Sequence, residues 1–160
     1  MPASSRVVLV VEDSPADQEI LRRAFRAVDI GCDLHMVLDG EAALCYLQQI
    51  APYRPATAPQ PDFILLDLNL PNLTGREVLE RIRANPRIRH IPVIILTTTQ
   101  APNEILECYR LGANCFITKP PSFQDFVDLI RATSTYWFQF ANLPPHSPPG
   151  PAPLQDRPLP

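Results

Sequence analysis

Five residues of this chain have the types and spacing to do chemistry together: Glu12, Asp13, Asp67, Thr97 and Lys119. Each ends or directly follows a short apolar run, in "VVLVVED", "FILLD", "VIILT" and "CFITK". In an open parallel sheet such positions gather beyond the carboxyl ends of the strands, where ligands bind. Three carboxylates there carry a cost, because like charges sharing a site raise one another's pKa and destabilise the fold unless a cation intervenes. Oxygen ligands without cysteine or histidine suit a hard divalent ion such as Mg²⁺, so Glu12, Asp13 and Asp67 form a candidate metal site. A carboxylate can also attack phosphorus to give an acyl phosphate. Mg²⁺ and one ammonium would then offset the charge of the incoming group, and the Thr97 hydroxyl could hydrogen-bond its oxygens. No histidine, serine or cysteine nucleophile with a paired base is offered, which leaves Asp67 as the attacker. An acid at a strand end is often only a helix cap or a solvated turn residue, and Asp13 alone reads that way. Five equivalent positions together do not.

Lys119 is also the only lysine among fourteen basic residues. A compact ammonium on a flexible stem can pair with Asp67 and then follow a phosphoryl group. Arginine's planar fork would crowd a pocket that also holds a metal ion.

The elements that must position these residues alternate strictly. Apolar, β-branched runs at 6–11, 33–38, 62–67, 91–97 and 114–118 read as strands, and their lack of polar alternation suits parallel strands covered on both faces. Helices are expected at 15–29, 40–50, 75–85, 102–111 and 122–140. Ser14 before Pro15 and Asp39 can cap the first two, Gly112 can end the fourth, and Ser122 with Asp125 resembles a capping box. This order predicts an α/β fold: one doubly wound (βα)5 domain with a five-stranded parallel sheet. The domain is expected over residues 1–142. A long proline-rich connection, "APYRPATAPQP", precedes the third strand, and residues 143–160 read as a proline-rich tail, extended or disordered.

Composition narrows the function. At 160 residues the chain suits one domain. A net charge of −3 supplies no basic footprint for nucleic acid or an anionic membrane, and no apolar run approaches the ~18 residues of a membrane span. The N-terminus does not read as a signal peptide. Cys32, Cys45, Cys108 and Cys115 are too scattered for a metal site, so buried free thiols in a reducing cytoplasm are expected.

The motifs "VLVVEDSPAD", "ILLDLNLPNLTG", "IILTTT" and "CFITKP" together resemble the receiver domain of two-component response regulators, over roughly residues 6–140. The resemblance implies a flavodoxin-like fold and a signalling protein, not a turnover enzyme. It would catalyse its own phosphorylation and dephosphorylation, with Asp67 accepting phosphate from a histidine kinase. Glu12, Asp13, Asp67 and the main-chain carbonyl of Asn69 would hold Mg²⁺, while Thr97 and Lys119 would bind the phosphoryl group. Phe116 falls at the family's aromatic switch position, although an ordinary strand aromatic packed on a helix would look the same. The peptide bond between Lys119 and Pro120 is implied to be cis. "LLDLNLP", "NCFITK", the long 51–61 connection and the aromatic final helix followed by "ANLPP" look like the small stand-alone response regulators that serve cyanobacterial phytochromes. A phytochrome kinase is the implied partner.

Output is then expected through protein–protein contact. Tyr136, Trp137, Phe138 and Phe140 fall at roughly 0°, 100°, 200° and 40° around a helix, so one core-facing stripe cannot bury all four. A homodimer through the fourth helix, fifth strand and fifth helix is one expectation. The other has Trp137 and Phe140 closing the core while the rest pack on the tail.

Two other functions share parts of this pattern. A phosphatase of the haloacid dehalogenase type needs a second aspartate two residues after the nucleophile, where this chain has Asn69. A flavodoxin-like cofactor binder wants a hydroxyl- and glycine-rich first loop, whereas "VEDSPAD" presents carboxylates that repel phosphate. Both fit poorly.

Overall fold

The computed structural model describes residues 5–146. Five strands, β1 (Arg6–Val11), β2 (Cys32–Val37), β3 (Phe63–Leu66), β4 (Val93–Thr97) and β5 (Cys115–Thr118), form one parallel sheet in the order β2-β1-β3-β4-β5. Helices α1 (Pro15–Val28), α2 (Gly40–Gln48), α3 (Gly75–Ala84), α4 (Pro102–Arg110) and α5 (Phe123–Thr135) connect and cover it. Among the described residues no helix is long and apolar enough to cross a membrane.

The all-apolar strands have their expected consequence. Side chains of successive strand residues point to opposite faces, and both faces are buried. Leu9, Val11, Ile64, Leu66, Val93 and Ile95 pack with α2, α3 and Cys108 of α4. Val8, Val10, Phe63, Leu65, Ile94 and Leu96 pack with Leu21, Ala24 and Phe25 of α1 and Phe126, Val127 and Ile130 of α5. Each fully buried aliphatic side chain contributes about 1.5–3 kcal/mol, and this two-sided burial fixes where the strand ends lie.

The caps follow the sequence. The side chains of Ser14, Asp39 and Ser122 accept from the backbone N–H groups of Asp17, Ala42 and Asp125. A full reciprocal box forms instead at α3, between Thr74 and Glu77. Gly112, at φ +102°, follows α4 and lets the Ala113 N–H return to the Cys108 carbonyl.

Three expectations need correction. The fifth helix does not run unbroken to residue 140: it ends at Thr135 and gives way to a π turn, Tyr136–Phe140, closed by the Ala141 N–H to the Tyr136 carbonyl at 2.8 Å. The wider turn changes the angular spacing of the aromatics. Trp137 and Phe138 fold onto Phe63, with ring centroids 6.2 and 5.2 Å away, while Tyr136 and Phe140 are exposed. Phe140 therefore does not close the core. Finally, only Cys108 of the four free cysteines is buried; the others are half-buried because they sit on edge strands and on α2.

The 51–61 connection is held down, not loose. Tyr46 donates its hydroxyl to the Pro59 carbonyl at 2.9 Å, the Gln49 amide donates to the Ala58 carbonyl, and Ala58 is buried. Residues 147–160, most of the expected tail, lie outside the described residues.

Candidate functional site

The strand order reverses at β1, which has β2 on one side and β3 on the other. Beyond the carboxyl ends of β1 and β3 the chain places Glu12, Asp13 and Asp67, each offering an oxygen within 4.8 Å of the others. Glu12 and Asp67 are buried and Asp13 is exposed. Thr97 ends β4 with no exposed surface. Lys119 follows β5, and its backbone N–H donates to the Thr97 carbonyl at 2.7 Å. The sheet has brought together all five residues that the sequence singled out.

Lys119 is the hub. Its Nζ donates to Glu12 Oε2 at 2.6 Å, Asp67 Oδ2 at 2.7 Å and Asp17 Oδ2 at 2.9 Å. The only cis peptide among the described residues is Ala51–Pro52, so the Lys119–Pro120 bond is trans, against expectation. The reach comes from the lysine stem itself, with the backbone already pinned to Thr97.

The acids are tuned in opposite directions. Burial pushes the Glu12 carboxyl up to about 7, reinforced by Asp67 and only partly offset by Lys119. Burial pushes Asp67 the same way, but hydrogen bonds from Lys119 and the Asn69 N–H overcome it and hold Asp67 below the usual carboxylate range. Burial alone would lower Lys119, yet its bonds to Asp67, Glu12 and Asp17 raise it well above the ordinary lysine value. Asp67 thus stays ionised, as a nucleophile must, while Glu12 is the acid that most readily holds a proton.

Further residues support the site. Gln18, buried on α1, donates to the Glu12 carbonyl at 2.8 Å. The Ser14 N–H donates to Glu12 Oε1 at 3.1 Å, and the Asn69 amide reaches Thr97 Oγ1 at 3.5 Å. Gly75 starts α3 so close to the end of β3 that a Cβ there would lie 2.2 Å from the Asp67 carbonyl oxygen and 2.7 Å from Leu68 Cα. Sequence reasoning missed Asp17, Gln18 and the constraint on Gly75. The spacing Ser14-x-x-Asp17 reads as a plain helix cap, which hides the contact to Lys119. Phe116, half-buried, packs against the cluster under α2, α3 and α4, and its N–H donates to the Tyr109 hydroxyl at 3.1 Å.

The donor set fits a hard cation. Glu12, Asp13 and Asp67 supply oxygens only, and their charge exceeds what one ammonium offsets.

Comparison with known proteins agrees with this geometry. Residues 8–131 match the response regulator receiver domain. Response regulator Rcp1 of Synechocystis sp. is 37% identical over 87% of this chain and 93% of its own length, and a structure of its Mn²⁺-bound form superposes with a TM-score of 0.79. The response regulator RPA3017 in red light signaling of R. palustris has a TM-score of 0.84 at 38% identity, covering 88% of this chain and 99% of that one. The phosphorylated cyanobacterial phytochrome response regulator RcpA has a TM-score of 0.82 at 35% identity, covering 89% and 100%.

Proposed function

The chain belongs to the response regulator receiver family, and from that premise we propose that Asp67 accepts a phosphoryl group from a phosphohistidine on a partner kinase, a phytochrome in this case. The observation that carries the reading is the buried Lys119 ammonium, bonded to Asp67 at 2.7 Å and to Glu12 at 2.6 Å, on a backbone whose N–H donates to the Thr97 carbonyl. In the transfer, an Asp67 oxygen bonds to phosphorus as the phosphorus–nitrogen bond breaks, and the bonding pair stays with the imidazole. Asp67 is already ionised, so no general base is needed. Lys119 and Thr97 then face the phosphoryl oxygens. Glu12, Asp13, Asp67 and the Asn69 carbonyl would hold Mg²⁺, which when bound offsets charge on the transferring group. Loss of the phosphoryl group to water regenerates Asp67, so the protein acts on itself and turns over no separate substrate.

The phytochrome assignment is supported by the relatives themselves, a response regulator in red light signaling and a cyanobacterial phytochrome response regulator. Output is by protein contact in the cytoplasm. Leu106 and Tyr109 of α4 are exposed with Tyr136 and Phe140 beyond α5, an apolar set suited to a homodimer through the α4–β5–α5 face. Trp137 and Phe138 would support that face from behind.

Incubation with acetyl phosphate and Mg²⁺ tests the chemistry. Intact mass should show one acid- and base-labile phosphoryl group, absent in Asp67→Asn. No adduct, or one that survives the substitution, would remove the assignment. Sedimentation of the full chain and of a Tyr136→Ala/Phe140→Ala variant tests the dimer, and a monomer in both removes it.

A further inference from the structure

The contact between Lys119 and Asp17 lies outside the strand-end set, and the local structure explains why it exists. Ser14 caps α1 by accepting from the Asp17 N–H, which fixes Asp17 at the third helical position. A glutamate or glutamine at that position can fold back onto the cap N–H. Glu77 does so in α3, reaching the Thr74 N–H at 2.8 Å. In α1 the cap N–H of Ser14 is taken by Glu12 Oε1. Asp17 is thereby released from capping, and its carboxylate turns to Lys119 at 2.9 Å.

An ammonium has three donors. Here the three go to three different carboxylates, so Lys119 cannot serve a phosphoryl oxygen without giving one up. Glu12 is almost fully buried, and an abandoned buried carboxylate is costly; Asp67 keeps one oxygen as an acceptor after the other has bonded to phosphorus. The Asp17 side chain is 37% exposed and makes the longest of the three bonds. It is the acceptor that water can replace.

We propose that Asp17 is a positioning residue of the phosphoacceptor site, which holds one donor of Lys119 at rest and releases it when a phosphoryl group arrives on Asp67. The proposal rests on Asp67 being the phosphoacceptor. Asp17 competes with the phosphoryl group for the ammonium and so opposes occupation of the site.

Beryllofluoride, a phosphoryl mimic, tests this on the full chain with Mg²⁺. Asp17→Asn replaces a charged acceptor with a neutral one, so half-saturation should fall by about five-fold, the difference between charge-assisted and neutral hydrogen bonds. Asp17→Glu should restore a value near the parent's. Glu19→Gln removes the same charge from an exposed residue of α1 that pairs with Arg22 and Arg23, and should change binding less than two-fold. The chain's single lysine supplies a second readout, because ¹⁵N-lysine labelling gives one side-chain ammonium signal. That signal should move in metal-free Asp17→Asn and stay put in Glu19→Gln. An Asp17→Asn protein that binds beryllofluoride no better than Glu19→Gln, or more weakly than the parent, overturns the proposal. If Asp17→Asn fails to fold, the parent's own signal decides: binding of beryllofluoride must shift it, and an unmoved signal overturns the proposal. Should Asp67→Asn bind beryllofluoride as the parent does, the phosphoacceptor reading itself falls.

Discussion

Two buried aspartates bracket β3, and only one of them is built for reaction. Asp62 precedes the strand and is 7% exposed; Asp67 follows it and is 5% exposed. Donors surround Asp62: the Val7 N–H at 2.8 Å and His146 Nε2 at 3.0 Å, with Arg6 at 4.0 Å. Asp67 instead shares one ammonium with Glu12 and Asp17 and lies within 4.8 Å of Asp13. Burial of a carboxylate therefore marks nothing by itself. Asp62 is paired with donors and ties β1 to His146, whereas the acids around Asp67 outnumber their cation and can take more positive charge.

Substitutions can break or sharpen this contrast. The largest expected effect is on modification: Asp67→Asn abolishes the phosphoryl adduct in intact mass, and Asp62→Asn leaves it unchanged. If Asp62→Asn also abolishes it in folded protein, the two ends of β3 are not separable.

Next in size is a pH effect confined to the Asp67 end. Glu12 binds a proton more tightly folded than unfolded, since its carboxyl is raised to about 7. Its stabilisation is complete below the ordinary glutamate value and fades as pH rises through 7. Asp67, held low, contributes above the ordinary aspartate value and loses that contribution only as acid protonates it. Without divalent metal, stability should fall by about 2–3 kcal/mol between pH 5 and 8, and denaturant titrations of Glu12→Gln should lose this slope. A parent slope that survives in Glu12→Gln would assign it elsewhere.

At the other end, Asp62→Asn weakens the acceptor for a buried N–H and should cost about 1–2 kcal/mol in thermal or denaturant melts, at any metal concentration. The smallest effect is Asp13→Asn. It relieves repulsion at an exposed position, so metal-free stability should rise by a few tenths of a kcal/mol while Mg²⁺ affinity drops, as calorimetry would show. Lower metal-free stability would mean that the acids do not repel as supposed.

Much of this contrast was legible in the sequence, for a physical reason. Strand ends in a parallel sheet are positions a pattern can locate, so Glu12, Asp13, Asp67, Thr97 and Lys119 could be grouped without coordinates. The all-apolar strands likewise announced two-sided cover. What escaped depends on side-chain direction or close approach. Asp17 drew no notice in the sequence because nothing local reveals that Glu12 takes the cap N–H and leaves Asp17 to Lys119. Asp62 looked like the first residue of a strand, and its hydrogen-bond partners lie 55 and 84 positions away. Gly75 is demanded by a contact between two segments that no periodicity encodes. The Lys119–Pro120 bond and the π turn are backbone choices settled by packing around them.

The excess of acid over base at the reaction end has a thermodynamic consequence. A free anion approaching Asp67 must first meet the fields of Glu12, Asp13 and Asp17. Inorganic phosphate, which the proposed loss of the phosphoryl group to water would release, therefore gains little by lingering there. Occupation must be driven by the transfer potential of an energy-rich donor instead of by the ambient concentration of phosphate, which keeps the site from answering to the metabolic background.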